Sequence, residues 1–267
     1  MKILAHGLSD KGLSRKHNED SFYTDKDLGL FVVADGMGGH SAGDVASRMA
    51  VEALSGYIRK SYAGGESLIG PLDAGRPDAS NRLVSGIRLA NQVVCEAAKN
   101  NPLWQGMGTT IVAALVDGNR VSLAHAGDSR AYLVRLNTIS QLTDDHSVVA
   151  ERVRKGLMSK EEAEGSGIRN LVTRALGHDE ALEVDVTEID IMDGDRLLLC
   201  SDGLTTMVAD DVALMILASD NAPESACRRL VDEANNNGGM DNITVVAAFF
   251  TEELSPRKPI SMRLSGR

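Results

Sequence analysis

The stretch LGLFVVADGMGGHSAG, from Leu28 to Gly43, predicts a buried strand followed by a glycine-rich turn. Its first seven residues form an almost wholly apolar run, and the carboxylate of Asp35 closes that run. Four of the next eight residues are glycine. Glycine-rich turns often end strands, but a carboxylate beside exposed backbone carbonyls also supplies the oxygen ligands of a metal site. The rest of the chain decides between a structural turn and a metal site.

The regions around this stretch form blocks of strands and blocks of helices. Strands are predicted near residues 3–9 and 21–24, and apolar residues at helical spacing predict helices over 41–60 and 77–100. Residues 108–136 contain three apolar runs separated by DGN and GDSR, which is typical of an antiparallel meander.

The second half of the chain repeats this arrangement. Strands are predicted in EVDVTEIDI, DRLLLCSDG and NITVVAAFF, and helices over 147–156, 159–164, 208–219 and 223–236. Blocks of strands and helices, rather than strict alternation, indicate an α+β fold in which helices pack on mostly antiparallel sheets.

The composition limits the class of protein. With 267 residues and 43% hydrophobic content the chain can bury one large core, so residues 1–251 are expected to form one domain. Residues 252–267 are expected to be a flexible basic tail. A net charge of −10 argues against nucleic acid as a partner, because binding to its backbone requires clustered Lys and Arg.

Cysteine usage and the length of apolar runs indicate the compartment. The three cysteines, Cys95, Cys200 and Cys227, include no C-x-x-C pair, which is typical of a reduced, intracellular protein. No apolar run approaches the roughly 18 residues of a membrane span, and MKILAHGLSD lacks a signal-peptide core. We therefore expect a soluble, cytoplasmic protein.

Several acidic residues lie at predicted strand ends or turns. They are Asp20, Asp35, Asp128, Asp202 and Asp241. Like charges at neighbouring strand ends repel one another, and a bound cation relieves the repulsion. Because the set offers oxygen ligands only, with no Cys or His cluster at zinc spacing, Mg²⁺ or Mn²⁺ is the expected ion.

Eight short motifs resemble the metal-dependent protein phosphatases, the PPM or type 2C family, in its compact bacterial form. In chain order they are SRKHNED, VADGMGGH, GTT, AGDSRAYL, LTDDHS, NLVTRALG, LLLCSDGL and DNITVV. Their order and spacing cover nearly the whole chain. The resemblance implies a four-layer α-β-β-α sandwich with two central sheets, and an enzyme that hydrolyses phosphoserine and phosphothreonine in proteins.

The resemblance also implies the ligands of a binuclear Mn²⁺ or Mg²⁺ centre. Asp35 would bridge the two ions, and the carbonyl of Gly36 would bind one of them. Asp202 and Asp241 would hold the other.

Four further residues would assist that centre. Glu19 and Asp20 would act mainly through bound waters, and Arg15 would clamp the substrate phosphate. Asp128 would help to hold a weaker third ion. A structural alternative makes Asp128 a turn residue that bonds its own backbone and pairs with Arg130.

The implied reaction is in-line attack on phosphorus by a metal-activated water, without a protein nucleophile. The leaving alkoxide of serine or threonine needs a proton. In animal members a His directly follows the Asp-Gly pair, whereas this chain has Met37 there and His40 three residues later. Either His40 or a metal-bound water is the candidate general acid.

Three other functions fit single features. GHSAG matches the G-x-S-x-G nucleophile elbow, but Ser41 stands six residues after the predicted strand end and is better interpreted as a helix N-cap. A cysteine-dependent phosphatase needs Arg six residues after a Cys, and no Cys here has one. A non-catalytic phosphoprotein-binding domain of the same fold would lack metal ligands, and none of the matched ligands is missing.

The basic segment 146–177 corresponds, by the same resemblance, to a mobile flap that bears on substrate choice. His146 at its start is interpreted as a structural hydrogen-bonding residue. The expected partners are phosphoserine and phosphothreonine proteins and an opposing bacterial Ser/Thr kinase, and the chain is expected to be a monomer.

Overall fold

The computed structural model describes residues 1–38, 42–65, 67–159, 162–163, 165–168 and 171–252. The strands in these ranges are β1 (Lys2–Asp10), β2 (Asp20–Asp25), β3 (Leu30–Met37), β4 (Gly108–Thr109), β5 (Ile111–Asp117), β6 (Arg120–Ala126), β7 (Arg130–Arg135), β8 (Thr138–Gln141), β9 (Asp185–Asp190), β10 (Arg196–Cys200) and β11 (Ile243–Thr251). The α-helices are α1 (Gly43–Tyr62), α2 (Asp78–Asn100), α3 (Val148–Arg154), α4 (Asp202–Thr205), α5 (Asp210–Ser219) and α6 (Pro223–Asn236).

Two sheets form the centre of the molecule. One has the strand order β1-β11-β10-β7-β8, and the other has the order β2-β3-β5-β6-β9 with β4 beside the end of β3. Every pairing between these strands is antiparallel. The prediction of two mostly antiparallel sheets is confirmed.

Strand β3 explains why the sheets are covered on both faces. Leu30 and Val32 pack with residues of α1 and α2, whereas Phe31 and Val33 pack with residues of the other sheet. Alternate side chains of a strand point to opposite faces, so a strand segment that is apolar at every position, as residues 30–34 are, fits only between two layers.

The second sheet is covered on its outer face in the same way. Leu198 and Val245 pack there with Ile216 of α5 and Leu230 of α6. The molecule therefore has four layers, α-β-β-α, as the resemblance implies. Within the described ranges no helix combines the length and apolar character needed to cross a bilayer.

The strand registers bring the predicted acids to one end of the sandwich. In one sheet, Asp20 at the start of β2 lies opposite Asp35 near the end of β3. In the other, Cys200 at the end of β10 lies opposite both the first residue of β7 and Val245 of β11. The residues that follow β10 therefore meet those that precede β7 and β11.

Two boundaries differ from the predicted ones. β3 does not end at Asp35 but continues to Met37, because Gly36 and Met37 pair with β4. Helix α1 begins at Gly43 and not at the predicted residue 41, and the prediction that Ser41 caps it stays untested. Ser41 itself lies outside the described residues, as do part of the helix predicted over 159–164 and the predicted tail beyond Glu252.

Candidate metal centre

Asp35 is held by the backbone of β3 at the end of the sandwich. Its amide donates to the hydroxyl of Thr110 (3.0 Å), and its carbonyl accepts from the Thr110 amide and the Thr109 hydroxyl (both 2.9 Å). These bonds occupy the backbone groups of Asp35. The carboxylate is left for other partners.

Asp35 lies at the centre of the carboxylates singled out from the sequence. Burial raises the pKa of Asp35 well above its ordinary value, and repulsion by neighbouring carboxylates raises it further. Those neighbours are, in order of effect, Asp20, Asp202, Asp128 and Asp241. The predicted acids therefore converge on one site.

Asp20 has one satisfied and one unsatisfied carboxylate oxygen. Its Oδ2 accepts a hydrogen bond from the Ser201 hydroxyl (2.8 Å), whereas its Oδ1 is buried without a hydrogen-bond partner among the described residues. Burial, followed by repulsion from Asp202 and Asp241, raises the pKa of Asp20 to about 7. A buried oxygen without a donor is costly, and a bound cation or its water would satisfy it.

Asp128 lies in the turn before β7. Burial, followed by repulsion from Asp202, raises its pKa to about 7. Arg130 does not form the ion pair considered in the sequence analysis, because its guanidinium binds Asp145 through both Nε (2.9 Å) and Nη2 (2.7 Å). The structural alternative for Asp128 was thus wrong about Arg130, but the carboxylate does bond its own backbone amide as that alternative expects.

Arg15 stands at the edge of the cluster. Its Nη2 donates to Asp241 Oδ2 (2.7 Å), while about half of its side chain is exposed. The loop that carries it is fixed by the amides of Leu13 and Ser14, which donate to the carbonyl of Gly239 (2.8 and 3.1 Å). An anchored guanidinium with donors open to solvent can bind phosphate oxygens.

Glu19 is positioned by Asn242, a residue that the sequence analysis did not identify. The Glu19 amide donates to Asn242 Oδ1 (2.8 Å), and Asn242 Nδ2 donates to the carbonyls of Lys11 and His17 (2.9 and 3.0 Å). Burial raises the pKa of Glu19, and the nearby charge of Asp44 raises it further. The sequence offered one signal for Asn242, its place directly after Asp241 in DNITVV.

Gly36 permits a close approach of three backbone segments. Its amide donates to the carbonyl of Glu19 (3.2 Å), and a Cβ at this position would clash with the carbonyl oxygens of Glu19 and Gly43. Glycine is therefore required here by contact with α1 and with the start of β2, and not by a left-handed backbone.

The donor set of this site fits hard divalent cations. It consists of carboxylate and carbonyl oxygens, and its carboxylates repel one another in the absence of positive charge. Of the residues predicted for the site, His40 alone lies outside the part of the chain that the structure describes.

The comparisons with known proteins agree with this chemistry. Residues 2–243 match the family model described as Protein phosphatase 2C. The serine/threonine phosphatase stp of Listeria welshimeri is 41% identical over 241 residues, which are 89% of this chain and 92% of that protein.

Two solved structures have the same fold. The crystal structure of the Mycobacterium tuberculosis serine/threonine phosphatase PstP/Ppp has a TM-score of 0.82 and 37% identity, and the match covers 94% of this chain and 99% of that one. The catalytic domain of PstP in complex with two manganese ions has a TM-score of 0.80 and 37% identity, with the same coverage. The family match, the curated relative and the convergent carboxylates agree: the chain belongs to the protein phosphatase 2C family, the metal-dependent protein serine/threonine phosphatases.

Proposed function

We propose that this chain dephosphorylates phosphoserine and phosphothreonine in proteins with a binuclear Mn²⁺ or Mg²⁺ centre. Asp35 would bridge the two ions, the Gly36 carbonyl would contribute to one, and Asp202 and Asp241 would hold the other. The observation that carries this proposal is the meeting of acids at one end of the sandwich, where Asp20 lies opposite Asp35 and its buried Oδ1 has no hydrogen-bond partner among the described residues. The two manganese ions of the related PstP domain support the choice of ion.

When bound, the ions activate the attacking water and offset the charge of the phosphoryl group. The protein's part is to orient the substrate and to order the surrounding groups. Arg15, held by Asp241, presents its remaining donors to phosphate oxygens. Glu19 and Asp20 accept hydrogen bonds from bound waters, which gives the buried Asp20 Oδ1 a partner.

The leaving alkoxide must receive a proton, and two routes are proposed for it. One is the imidazole of His40. The other is a water near Asp128, whose carboxylate would help to bind a weaker third ion. The second route is supported by the absence of an ion-pair partner for Asp128 among the described residues, since Arg130 is occupied by Asp145.

The proposed partners are phosphoserine and phosphothreonine proteins and the Ser/Thr kinase that phosphorylates them. A cytoplasmic location and a monomeric state are proposed with them. The three cysteines are all free and buried, which supports a reducing compartment. The segment 146–177 is proposed as the flap that influences substrate choice.

Hydrolysis of p-nitrophenyl phosphate and of a phosphothreonine peptide, with Mn²⁺ or with excess EDTA, tests the mechanism. We expect activity with metal and its loss on chelation. Asp35→Asn should lower kcat by at least about 100-fold, because even residues that only contact metal ligands contribute about 10- to 100-fold. Ser41→Ala should leave kcat unchanged.

Three results would contradict the proposal. Full activity in EDTA would exclude the binuclear centre. Loss of hydrolysis in Ser41→Ala but not in Asp35→Asn would support a serine hydrolase. Mn²⁺ binding without hydrolysis of any phosphoester would support the non-catalytic phosphoprotein-binding alternative.

A further inference from the structure

A second group of polar side chains lies beside the metal centre. His125 and His146 are buried (4% and 2% exposed), and their rings stack with centroids 4.7 Å apart and planes within 10°. The carboxylate of Asp185 and the guanidinium of Arg174 border the pair. We call these four residues the imidazole cluster.

A metal ion is one possible occupant of this cluster, since His125, His146 and Asp185 each have a ligand atom within 4.8 Å of the others. The position of Arg174 argues against it. Arg174 Nη1 lies 2.8 Å from Asp185 Oδ1 and 3.2 Å from His146 Nε2. The guanidinium thus supplies the positive charge that a cation would bring.

The Nδ1 atom of His146 is hydrogen bonded to Gly127, the residue directly before Asp128. The Gly127 amide donates to His146 Nδ1 (3.2 Å), and the His146 amide donates to the Gly127 carbonyl (3.0 Å). Both polar backbone groups of Gly127 therefore bond to one residue. Gly127 directly precedes Asp128, so these bonds fix the start of the turn that carries the carboxylate.

The backbone at Gly127 has little freedom to adopt another position. Its φ of +115° lies in the region that favours glycine, and a Cβ there would lie 2.5 Å from the Thr110 Cβ. Thr110 in turn hydrogen bonds Asp35. A displacement of Gly127 would therefore move Asp35, through Thr110, as well as Asp128.

The contacts of His146 define its tautomer. Because Nδ1 accepts a hydrogen bond from an amide, the proton of the neutral ring lies on Nε2, where it donates to Asp185 Oδ2 (3.2 Å). Arg174 Nη1, which can only donate, then bonds to Asp185 Oδ1 and not to the ring nitrogen that it lies beside. Burial lowers the pKa of His146, which favours this neutral form. One ring thus accepts on one side and donates on the other.

The same residue contacts the returning side of segment 146–177. The Thr173 amide donates to the His146 carbonyl (2.7 Å), and the Val148 amide donates to the Leu171 carbonyl (2.9 Å). Arg174, the next residue after Thr173, completes the cluster through Asp185. The two sides of the segment are joined at His146.

We propose that His146 is a positioning residue that holds Asp128 through Gly127 and links that position to the returning side of segment 146–177. The inference rests on the proposed role of Asp128 as a ligand of the weaker third ion. Movement of the segment at Arg174 would displace His146 and, with it, Gly127 and Asp128. Substrate contact with the segment and binding of the third ion would therefore be coupled.

Two substitutions at His146 each remove one of the two hydrogen bonds of its ring. In His146→Asn, the amide oxygen takes the place of Nδ1 and can accept from Gly127, but the contact with Asp185 is lost. In His146→Gln, the amide reaches the Nε2 position and keeps the contact with Asp185, but the Gly127 amide is left without an acceptor. His125→Gln is the matched control, because it removes the ring stack and keeps a donor for the Asp144 carbonyl (2.9 Å in the native chain).

Three measurements apply to each variant: Mn²⁺ binding by calorimetry, the Mn²⁺ dependence of phosphothreonine-peptide hydrolysis, and the rate of tryptic cleavage within residues 148–175. In His146→Gln we expect the weakest Mn²⁺ binding step and the half-saturating Mn²⁺ concentration to shift by about tenfold. In His146→Asn and His125→Gln both values should stay near the native ones. His146→Asn should be cleaved faster by trypsin, and Asp185→Asn should behave as it does.

The proposal is overturned if His146→Asn weakens Mn²⁺ binding as much as His146→Gln, or if the variants change only the melting temperature. If His146→Gln does not fold, native-like Mn²⁺ binding with faster cleavage in both His146→Asn and Asp185→Asn supports the proposal, and unchanged cleavage overturns it. Failure of the proposed function is a separate result: the native chain would then hydrolyse no phosphopeptide at any Mn²⁺ concentration, while binding and cleavage would still test His146.

Discussion

Asp128 illustrates how this fold holds carboxylates close to one another. Its nearest cation in sequence, Arg130, donates from both Nε and Nη2 to Asp145 and therefore does not pair with Asp128. Burial and the charge of Asp202 instead raise the pKa of Asp128 to about 7. At a pH above 7 this carboxylate therefore opposes folding of the metal-free protein, and we infer that it serves metal binding.

Replacement of this carboxylate tests that conclusion. In Asp128→Ala, we expect kcat for a phosphothreonine peptide to fall by about 100-fold or more, as for other lost proton donors. The loss should be smaller for p-nitrophenyl phosphate, whose phenolate leaves with little need of a proton. The melting temperature in EDTA should not fall, because a repulsive charge is removed. Equal losses on both substrates would contradict a role at the leaving group.

The residues that the sequence revealed differ in kind from those that it did not. Asp35 and Asp202 could be singled out because each follows an apolar run, precedes glycine and belongs to a set of motifs in the order of the phosphatase family. Asn242 and Ser201 act through hydrogen bonds to groups distant in sequence, the Glu19 amide and the Asp20 carboxylate. No spacing rule predicts such bonds, because they depend on how two sheets meet.

At the scale of elements, the site depends on how closely β3 and α1 approach. The Gly36 amide is bonded to the carbonyl of Glu19, and the first residue of α1, Gly43, lies against it. The apolar pattern predicted both elements, but it placed the end of β3 two residues early. It did so because pairing with β4 continues the strand through a glycine, which carries no strand signal.

Two glycine substitutions test this contact. Gly36→Ala introduces a methyl group against two backbone carbonyls, so α1 must move away from β3, and we expect loss of Mn²⁺ binding and of activity. Gly56→Ala within α1 meets no atom within 4 Å and should raise the free energy of unfolding by about 0.5–1 kcal/mol with unchanged kcat. Denaturant unfolding and calorimetric metal titration measure both effects. Native-like Mn²⁺ affinity in Gly36→Ala would show that the close approach is not needed.

At the scale of the whole molecule, the carboxylates make stability depend on pH and metal together. Asp20 and Asp128 have pKa values of about 7 in the folded protein, against an ordinary 3.8. A raised pKa means that the folded state holds the proton more tightly than the unfolded state. Their contribution to stability is full below pH 3.8 and is lost as the pH rises through about 7.

The melting temperature of the metal-free protein should therefore fall between about pH 6.5 and about pH 8.5. This range keeps His146, whose pKa is lowered by burial, in its neutral form at both ends. Mn²⁺ should raise the melting temperature more at the higher pH, because binding requires deprotonated ligands. Thermal melting with EDTA and with Mn²⁺ measures both slopes. A metal-free protein that is more stable at the higher pH would contradict the account.

The strand order also determines when the molecule can become active during its synthesis. β11 lies between β1 and β10, and its register runs from Asp10 opposite Ile243 to Lys2 opposite Thr251. β11 is thus the last of these eleven strands to be synthesised, and the proposed ligand Asp241 precedes it by only two residues. Until then β1 and β10 have no common neighbour, and the metal centre lacks one of its acids. A chain that stops before β11 is therefore expected to lack both a completed sheet and the carboxylate of Asp241, and to hydrolyse no phosphoester.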